Sequence, residues 1–287
     1  MKRDACACKE RAPVASLVAK ALVVLLLLLL ALLFWWLRDA KTGARTETTT
    51  TAIATTTVPT GVQEYELLPG EIKGDAFYDA LYRLAQEPWV RSILEIGSSS
   101  GEGSTDAFAR GIALNPSRPT LYCMEVSRAR FAKLQAHYAQ NAQVRCYNAS
   151  SVPLHTFPSE QQVRDFMART HTTLNQYGVP LVLQWLERDR AYLRAHGAQL
   201  PQDGILLVKQ RSGVADFDLV LIDGSEFTGA AELDRVYGAR CIALDDVNAY
   251  KNYDNYQRLK RDARYRLVEE DWSTRNGYAI FRRRDEK

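Results

Sequence analysis

The run Leu94-Glu95-Ile96-Gly97-Ser98-Ser99-Ser100-Gly101-Glu102-Gly103-Ser104-Thr105 decides how the rest of the chain is read. It closes a short apolar stretch, residues 91–96 (RSILEI), with an acid, and then turns through glycines at 97, 101 and 103. Glycine lets the backbone turn tightly and approach a ligand closely. A helical stretch over 104–114 follows at once, so its free N–H groups would face whatever the turn holds. The glycine spacing is G-x-x-x-G-x-G rather than the G-x-G-x-x-G of dinucleotide folds, so a nicotinamide cofactor fits poorly.

Working outward, Phe77, Leu81 and Leu84 share one face of a leading helix that ends before Pro88. After the turn come a second strand at 120–125 (TLYCME), a helix at 128–138 and a third strand at 144–147. A fourth strand lies at 217–222 (FDLVLI) and a fifth at 240–244 (RCIAL), with a closing pair at 265–268 and 278–282. Strands alternating with helical stretches imply an α/β fold: a doubly wound, mostly parallel Rossmann-like sheet with helices on both faces. Ligands in such sheets sit outside the carboxyl ends of the strands. Residues 151–215 break the alternation with three helical stretches, at 160–173, 181–196 and 204–210. This insertion after the third strand would serve as a substrate lid or as a packing embellishment.

An acid-x-G-x-x-x-G-x-G turn resembles motif I of the class I S-adenosylmethionine-dependent methyltransferases. The resemblance implies that Glu95, Gly97, Ser98, Ser99, Gly101 and Gly103 hold that cofactor. Glu125, ending the second strand 24 residues beyond Gly101, matches the family's ribose-binding acid. Asn148, Ala149 and Ser150, after the third strand, stand where the family contacts the adenine, and Asp223, ending the fourth strand, matches the acid of motif IV.

A finer resemblance, to metal-dependent O-methyltransferases, rests on Asp223-Gly224-Ser225-Glu226 and Leu244-Asp245-Asp246-Val247. It implies Asp223, Asp245 and Asp246 as ligands of Mg²⁺ or another divalent cation, which oxygen donors suit. The chain departs from that pattern at Glu226, where the relatives would carry a histidine, and by Asp245-Asp246 in place of Asp-Asn, with Asn248 two positions on. A general base is needed where the acceptor must lose a proton. The candidates are Glu226, Asp245, Asp246 and, last, His155, a lone histidine in the insertion. Tyr250, Tyr253 and Tyr256 recur at helical spacing after the fifth strand and fit helix packing better than an acceptor pocket.

Upstream, residues 21–37 (ALVVLLLLLLALLFWWL) are 17 consecutive uncharged residues, about 25 Å as a helix. Extension to Val14 adds one charge, Lys20, which can snorkel, while Trp35, Trp36 and Arg38 suit a membrane interface. The run is longer than a signal-peptide core and lacks a small-residue cleavage site, so an uncleaved anchor at 14–37 is expected. It separates a basic tail, 1–13, from a Thr-rich stalk, 38–63, in which nine of residues 46–60 are Thr. Cys6 and Cys8 in the tail offer palmitoylation targets, and the stalk suits a plain spacer or an O-glycosylated stem. The other three cysteines, Cys123, Cys146 and Cys241, fall in separate apolar strands. They suit small core hydrophobes rather than a disulfide framework.

The anchor changes what the totals mean. The 287 residues suggest two domains by length, but removing the first 63 leaves 224, one α/β domain with an insertion. A mean hydropathy of −0.27 excludes a polytopic membrane protein. A net charge of +3 excludes a dedicated nucleic-acid binder. The basic clusters at 258–266 and 282–284 carry interspersed acids and suit solvated surface.

The resemblance, together with the anchor, implies a membrane-anchored methyltransferase whose acceptor is a small molecule, lipid or glycan, with O-methylation favoured. A tail–span–stem–domain layout also suits a Golgi glycosyltransferase using a nucleotide sugar, against which the Gly-rich turn argues. A methyltransferase-like domain that only binds is the third reading. Five Lys/Arg in the first 20 residues, Lys20 included, against three in the 20 after the span favour an exported domain. The cofactor is cytosolic, however, and Asn148-Ala149-Ser150 is a glycosylation sequon at the implied adenine site. A cytosolic domain on a single-pass anchor is therefore preferred.

Overall fold

The computed structural model describes residues 72–284. The tail, anchor and stalk assigned to 1–13, 14–37 and 38–63 lie outside the described residues. Among those described, no helix is long and apolar enough to cross a membrane.

The chain alternates α1 (Ala76–Ala85), β1 (Ser92–Ile96), α2 (Ser104–Leu114), β2 (Thr120–Glu125), α3 (Arg128–His137) and β3 (Val144–Asn148). The insertion carries α4 (Glu160–Arg169), α5 (Val179–His196) and α6 (Gly204–Ser212). Then come β4 (Leu219–Ile222), α7 (Gly229–Val236), β5 (Cys241–Asp245), α8 (Tyr253–Arg261), β6 (Tyr265–Asp271) and β7 (Tyr278–Arg283). The seven strands form one sheet in the order β3-β2-β1-β4-β5-β7-β6. The first five are parallel, and β7 runs antiparallel to both β5 and β6. This is the expected doubly wound sheet.

Side chains alternate across the sheet. Ile93, Leu121, Cys123, Leu219, Leu221 and Cys241 face the side covered by Phe77, Phe108 and Leu134 of α1, α2 and α3. Leu94, Met124, Val220, Ile222, Ile242 and Leu244 face the side covered by Ile205, Leu233 and Tyr256 of α6, α7 and α8. The insertion buries its own small core of Val163, Phe166, Met167, Val182 and Leu186, closed by Phe227 from the loop after β4. Tyr250 and Tyr253 pack on Phe166 at 4.8 and 5.9 Å between ring centroids, and Tyr256 stacks edge-on to Phe281. All three tyrosines of the triplet are thus packing residues.

The elements differ from expectation mainly at their ends. Helix α4 stops at Arg169 because Thr170 is extended; α5 begins two residues early, at Val179, after Gly178 turns the backbone. Helix α7 escapes sequence reading because it is eight residues long and opens on a glycine, a poor helix former. That glycine is required: a Cβ on Gly229 would lie 1.9 Å from the Lys251 carbonyl oxygen. The three cysteines are free, and Cys123 lies opposite Cys146 in the β2–β3 register.

The order reverses at β1, which pairs with β2 on one side and β4 on the other. The ends of β1 and β4 pass closely there: the Asp223 N–H donates to the Ile96 carbonyl at 3.0 Å. A Cβ on Gly97, at φ +91°, would lie 1.9 Å from the Asp223 oxygen. Gly97→Ala should therefore cost about 3 kcal/mol or more, combining left-handed strain with backbone displacement. Gly213, at φ +72°, has nothing within 4 Å of its would-be Cβ, so Gly213→Ala should cost only about 1–2 kcal/mol. Denaturant unfolding of both variants checks the contrast, and equal losses would remove the close-packing explanation.

Candidate active site

The carboxyl ends of β1, β2, β4 and β5 open into one cavity of about 510 Å³, within the roughly 300–1,000 Å³ typical of small-molecule sites. The Gly-rich turn and the loops after β2 and β3 form one end of its wall; the loops after β4 and β5 supply an acidic floor. The insertion contributes Phe157 and, from α5, Trp185, Asp189, Tyr192 and Leu193. The Ser225 hydroxyl donates to Asp189 at 2.6 Å, tying α5 to the loop after β4.

Of the residues implicated by sequence, Gly97, Ser98, Ser99, Gly103, Glu125, Ala149, Ser150, Asp223, Glu226, Asp245 and Asp246 line this cavity. Glu95, Gly101, Asn148 and His155 are not among the lining residues. Glu95 is fully buried behind the turn, where its carboxylate accepts hydroxyl bonds from Ser98 (2.7 Å), Ser104 (2.6 Å) and Thr105 (2.8 Å). Burial pushes its pKa up and the three hydroxyls pull against that rise. It shapes the turn and the start of α2 from below. A Cβ on Gly101 would meet the rings and methyls of Tyr138 and Leu134 at 2.7–2.8 Å, and the Tyr138 hydroxyl donates to its carbonyl. Asn148 spends both amide protons on the Glu125 and Val126 carbonyls, at 2.8 and 3.0 Å, fixing the turn after β2.

Glu125 faces the cavity. One carboxylate oxygen accepts the Ser99 N–H at 2.8 Å and the other the Ser127 N–H at 2.7 Å, leaving further lone pairs on each oxygen. Ser99 holds a left-handed backbone at φ 49° to make that contact, a conformation that costs a non-glycine residue about 1–2 kcal/mol.

The floor is a charge network. The Lys251 ammonium donates to Asp223 at 2.8 Å and to Asp246 at 2.6 Å. Arg275 Nη1 donates to both oxygens of Asp245, at 2.9 and 2.8 Å, and its Nε donates to Asp75. The Asn276 amide donates to Asp246. Burial and the neighbouring Asp246 push Asp245 up to about 6 against Arg275. Asp246 pays the same burial penalty, but Lys251 and Asn276 bring it below its ordinary value. Lys251 is disfavoured by burial, yet Asp223, Asp246, Asp245 and Glu226 together keep it protonated. Glu226 accepts the Lys251 backbone N–H at 3.2 Å, and burial raises its carboxyl to about 7.

The oxygens of Asp223, Asp245 and Asp246 lie within 4.8 Å of one another, a spacing that suits a divalent ion. The residues as they stand do not fit one: an ammonium already bridges two of the carboxylates, and a guanidinium occupies both oxygens of the third. Lys251 and Arg275 carry no motif around them, and sequence reading passes over both. Their roles follow only from the folding of β5 against β4 and of the 272–277 turn onto β5.

No family model matches the chain, and no curated protein matches it in sequence. Solved structures with a similar arrangement include an O-methyltransferase from Bacillus cereus in complex with SAH, at 16% identity over 76% of this chain and 84% of that chain (TM-score 0.48). A second is the SAH-bound Podospora anserina methyltransferase PaMTH1, at 13% identity over 75% and 81% (TM-score 0.43). A third is the O-methyltransferase TomG from Streptomyces achromogenes, involved in tomaymycin synthesis and in complex with SAM, at 14% identity over 72% and 79% (TM-score 0.41).

Proposed function

We propose that this domain is an S-adenosylmethionine-dependent O-methyltransferase acting on a hydroxyl of a small molecule, lipid or glycan. The observation that carries the reading is the pairing of the glycine turn with Glu125 at the wall of one cavity. Glu125 has lone pairs for two ribose hydroxyls. The backbone of the turn and the opening of α2 offer N–H groups to an anionic amino-acid end. Val126, Ala149 and Ser150 line the part of the cavity beyond Glu125, where an adenine would lie. When bound, the cofactor would supply a methyl group on a sulfonium, whose C–S electron pair leaves with the sulfur as the acceptor oxygen takes the methyl.

The chain's own work is then to hold the acceptor in line and to receive its proton. Glu226 is the base that fits. It lines the cavity and is tethered by the Lys251 backbone, and its carboxyl is raised to about 7. Asp245 is occupied by Arg275, and Asp246 by Lys251 and Asn276. The insertion covers the same cavity with Trp185 and Phe157, giving an acceptor an apolar wall opposite a polar floor. We extend the proposal to place: residues 14–37 anchor the domain in a membrane, with the domain on the cytosolic side. Asn148 supports that side, since a glycan there would replace one of the two amide protons that it donates to the Glu125 and Val126 carbonyls.

Calorimetric titration of the detergent-solubilised chain with S-adenosylmethionine is expected to show one site. Glu125→Ala should weaken it about 10- to 100-fold, the equivalent of losing one or two hydrogen bonds to a charged group. A wild-type chain that does not bind, or a variant that binds equally well, would sink the assignment. The turnover profile has a definite sign. A raised carboxyl keeps its proton up to about 7, so the rate should climb as pH passes upward through that value and level off above it. Glu226→Gln should lower turnover and remove this limb; retention of the limb would clear Glu226 of the role. For place, a C-terminal tag should be digested by protease added to the cytosolic face of intact membranes, and its full protection would put the domain on the other side.

A further inference from the structure

The acidic floor already contains a cation. A divalent ion would need carboxylate oxygens at about 2.0–2.6 Å. One oxygen of Asp223 and one of Asp246 instead meet the Lys251 ammonium at 2.8 and 2.6 Å. The third carboxylate, Asp245, is held on both oxygens by Arg275, which Asp75 holds in turn. A dication placed among these carboxylates would stand at contact distance from an ammonium.

The Lys251 backbone is also held in place. A Cβ on Gly229 would sit 1.9 Å from its carbonyl oxygen, so α7 presses directly on its backbone. The next residue, Asn252, is fully buried and donates to the Ile222 carbonyl at 2.9 Å and the Asp245 carbonyl at 2.6 Å. These bonds clamp the segment to the ends of β4 and β5 together. An ammonium has three protons; Asp223 and Asp246 take two, and Lys251 is itself a lining residue of the cavity.

We infer that Lys251 is the resident cation of this site, presenting to the acceptor oxygen the positive charge that a divalent metal would otherwise supply, so that transfer to oxygen proceeds without a metal ion. The inference rests on the methyltransferase reading for its mechanistic half. Its structural half, the exclusion of a divalent ion by Lys251, stands apart from that reading. Lys251 keeps its charge throughout and neither gains nor loses a proton; the acceptor proton goes to Glu226.

The test is a Mn²⁺ titration of the full chain in detergent, followed by electron paramagnetic resonance, on wild type and on Lys251→Met. Wild type should bind no stoichiometric Mn²⁺, and the variant, with its carboxylates unbridged, should bind one ion at least about tenfold more tightly. A variant that unfolds alone but is stabilised by Mn²⁺ in a thermal melt supports the inference equally. One tight Mn²⁺ on wild type overturns it, as does a folded variant with no gain in affinity. Calorimetry with S-adenosylmethionine in excess EDTA separates the two halves. Binding there agrees with both, and binding only after Mn²⁺ is restored overturns the metal-free inference. No binding with or without Mn²⁺ removes the methyltransferase reading and its mechanistic half, while the Mn²⁺ contrast still decides the exclusion.

Discussion

A carboxylate with no access to water, that of Glu95, is what the loop at the head of β1 is built around. Desolvating a carboxylate is tolerable only when hydrogen bonds replace the lost water. Here three hydroxyls do so, from Ser98 in the turn and from Ser104 and Thr105 at the start of α2. The three donors come from both ends of the glycine loop, so satisfying one buried charge fixes the whole excursion. The Ser98 hydroxyl also accepts the Met124 N–H at 3.1 Å, which carries the constraint to the end of β2. Glu125, the very next residue, is thereby set against Ser99. The cavity wall is thus a consequence of an interaction that never touches the cavity.

The ends of β4 and β5 solve the same problem with charge instead of hydroxyls. Asp223, Asp245 and Asp246 could not all stay ionised side by side without compensation. The compensating groups arrive from later in the chain: Lys251 ahead of α8, and Arg275 and Asn276 from the turn before β7. Because β7 inserts between β5 and β6, residues 275 and 276 return to the end of β5, thirty positions from the acids they serve. Glu226 alone among these floor acids has no side-chain cation bonded to it, and it is the one whose carboxyl rises to about 7. Burial also raises Asp223 and brings Asp245 to about 6, but their oxygens are engaged by Lys251 and Arg275, whereas no side-chain cation engages the Glu226 carboxyl.

How much of this was legible in the sequence depended on the range of the interaction concerned. The strand segments, the glycine turn and the acids at strand ends rest on patterns spanning a few residues to a few tens, and they are found where expected. Helix α7 was missed because eight residues opening on Gly229 carry almost no helical signal, and their place is set by packing on the Lys251 backbone. Glu95 carried a clear local signal, an acid between an apolar strand and a glycine turn. That signal does not distinguish a group that holds a ligand from one that holds the loop. Lys251 and Arg275 carried none, because nothing in their neighbours says that the folded chain will lay them on carboxylates 5 to 200 residues away.

Acids at the carboxyl ends of parallel strands therefore look alike in sequence and divide in the structure by the source of their partners. Glu95 is satisfied by its own loop and becomes scaffold. Glu125 takes the Ser99 and Ser127 backbone N–H groups and feels the charge of Arg130, and its remaining lone pairs supply the condition for binding a diol. Asp223, Asp245 and Asp246 are met by side-chain cations and form the floor. Glu226 is met by the backbone N–H groups of Lys251 and Tyr250 beneath a partly apolar cover, with no side-chain cation bonded to it, and its carboxyl rises to about 7. The chemistry available to each acid follows from whether a neutral donor, a cation or a bare backbone amide reaches it. In this chain Lys251 sets two of those fates, since its ammonium neutralises Asp223 and Asp246 while its backbone N–H holds Glu226.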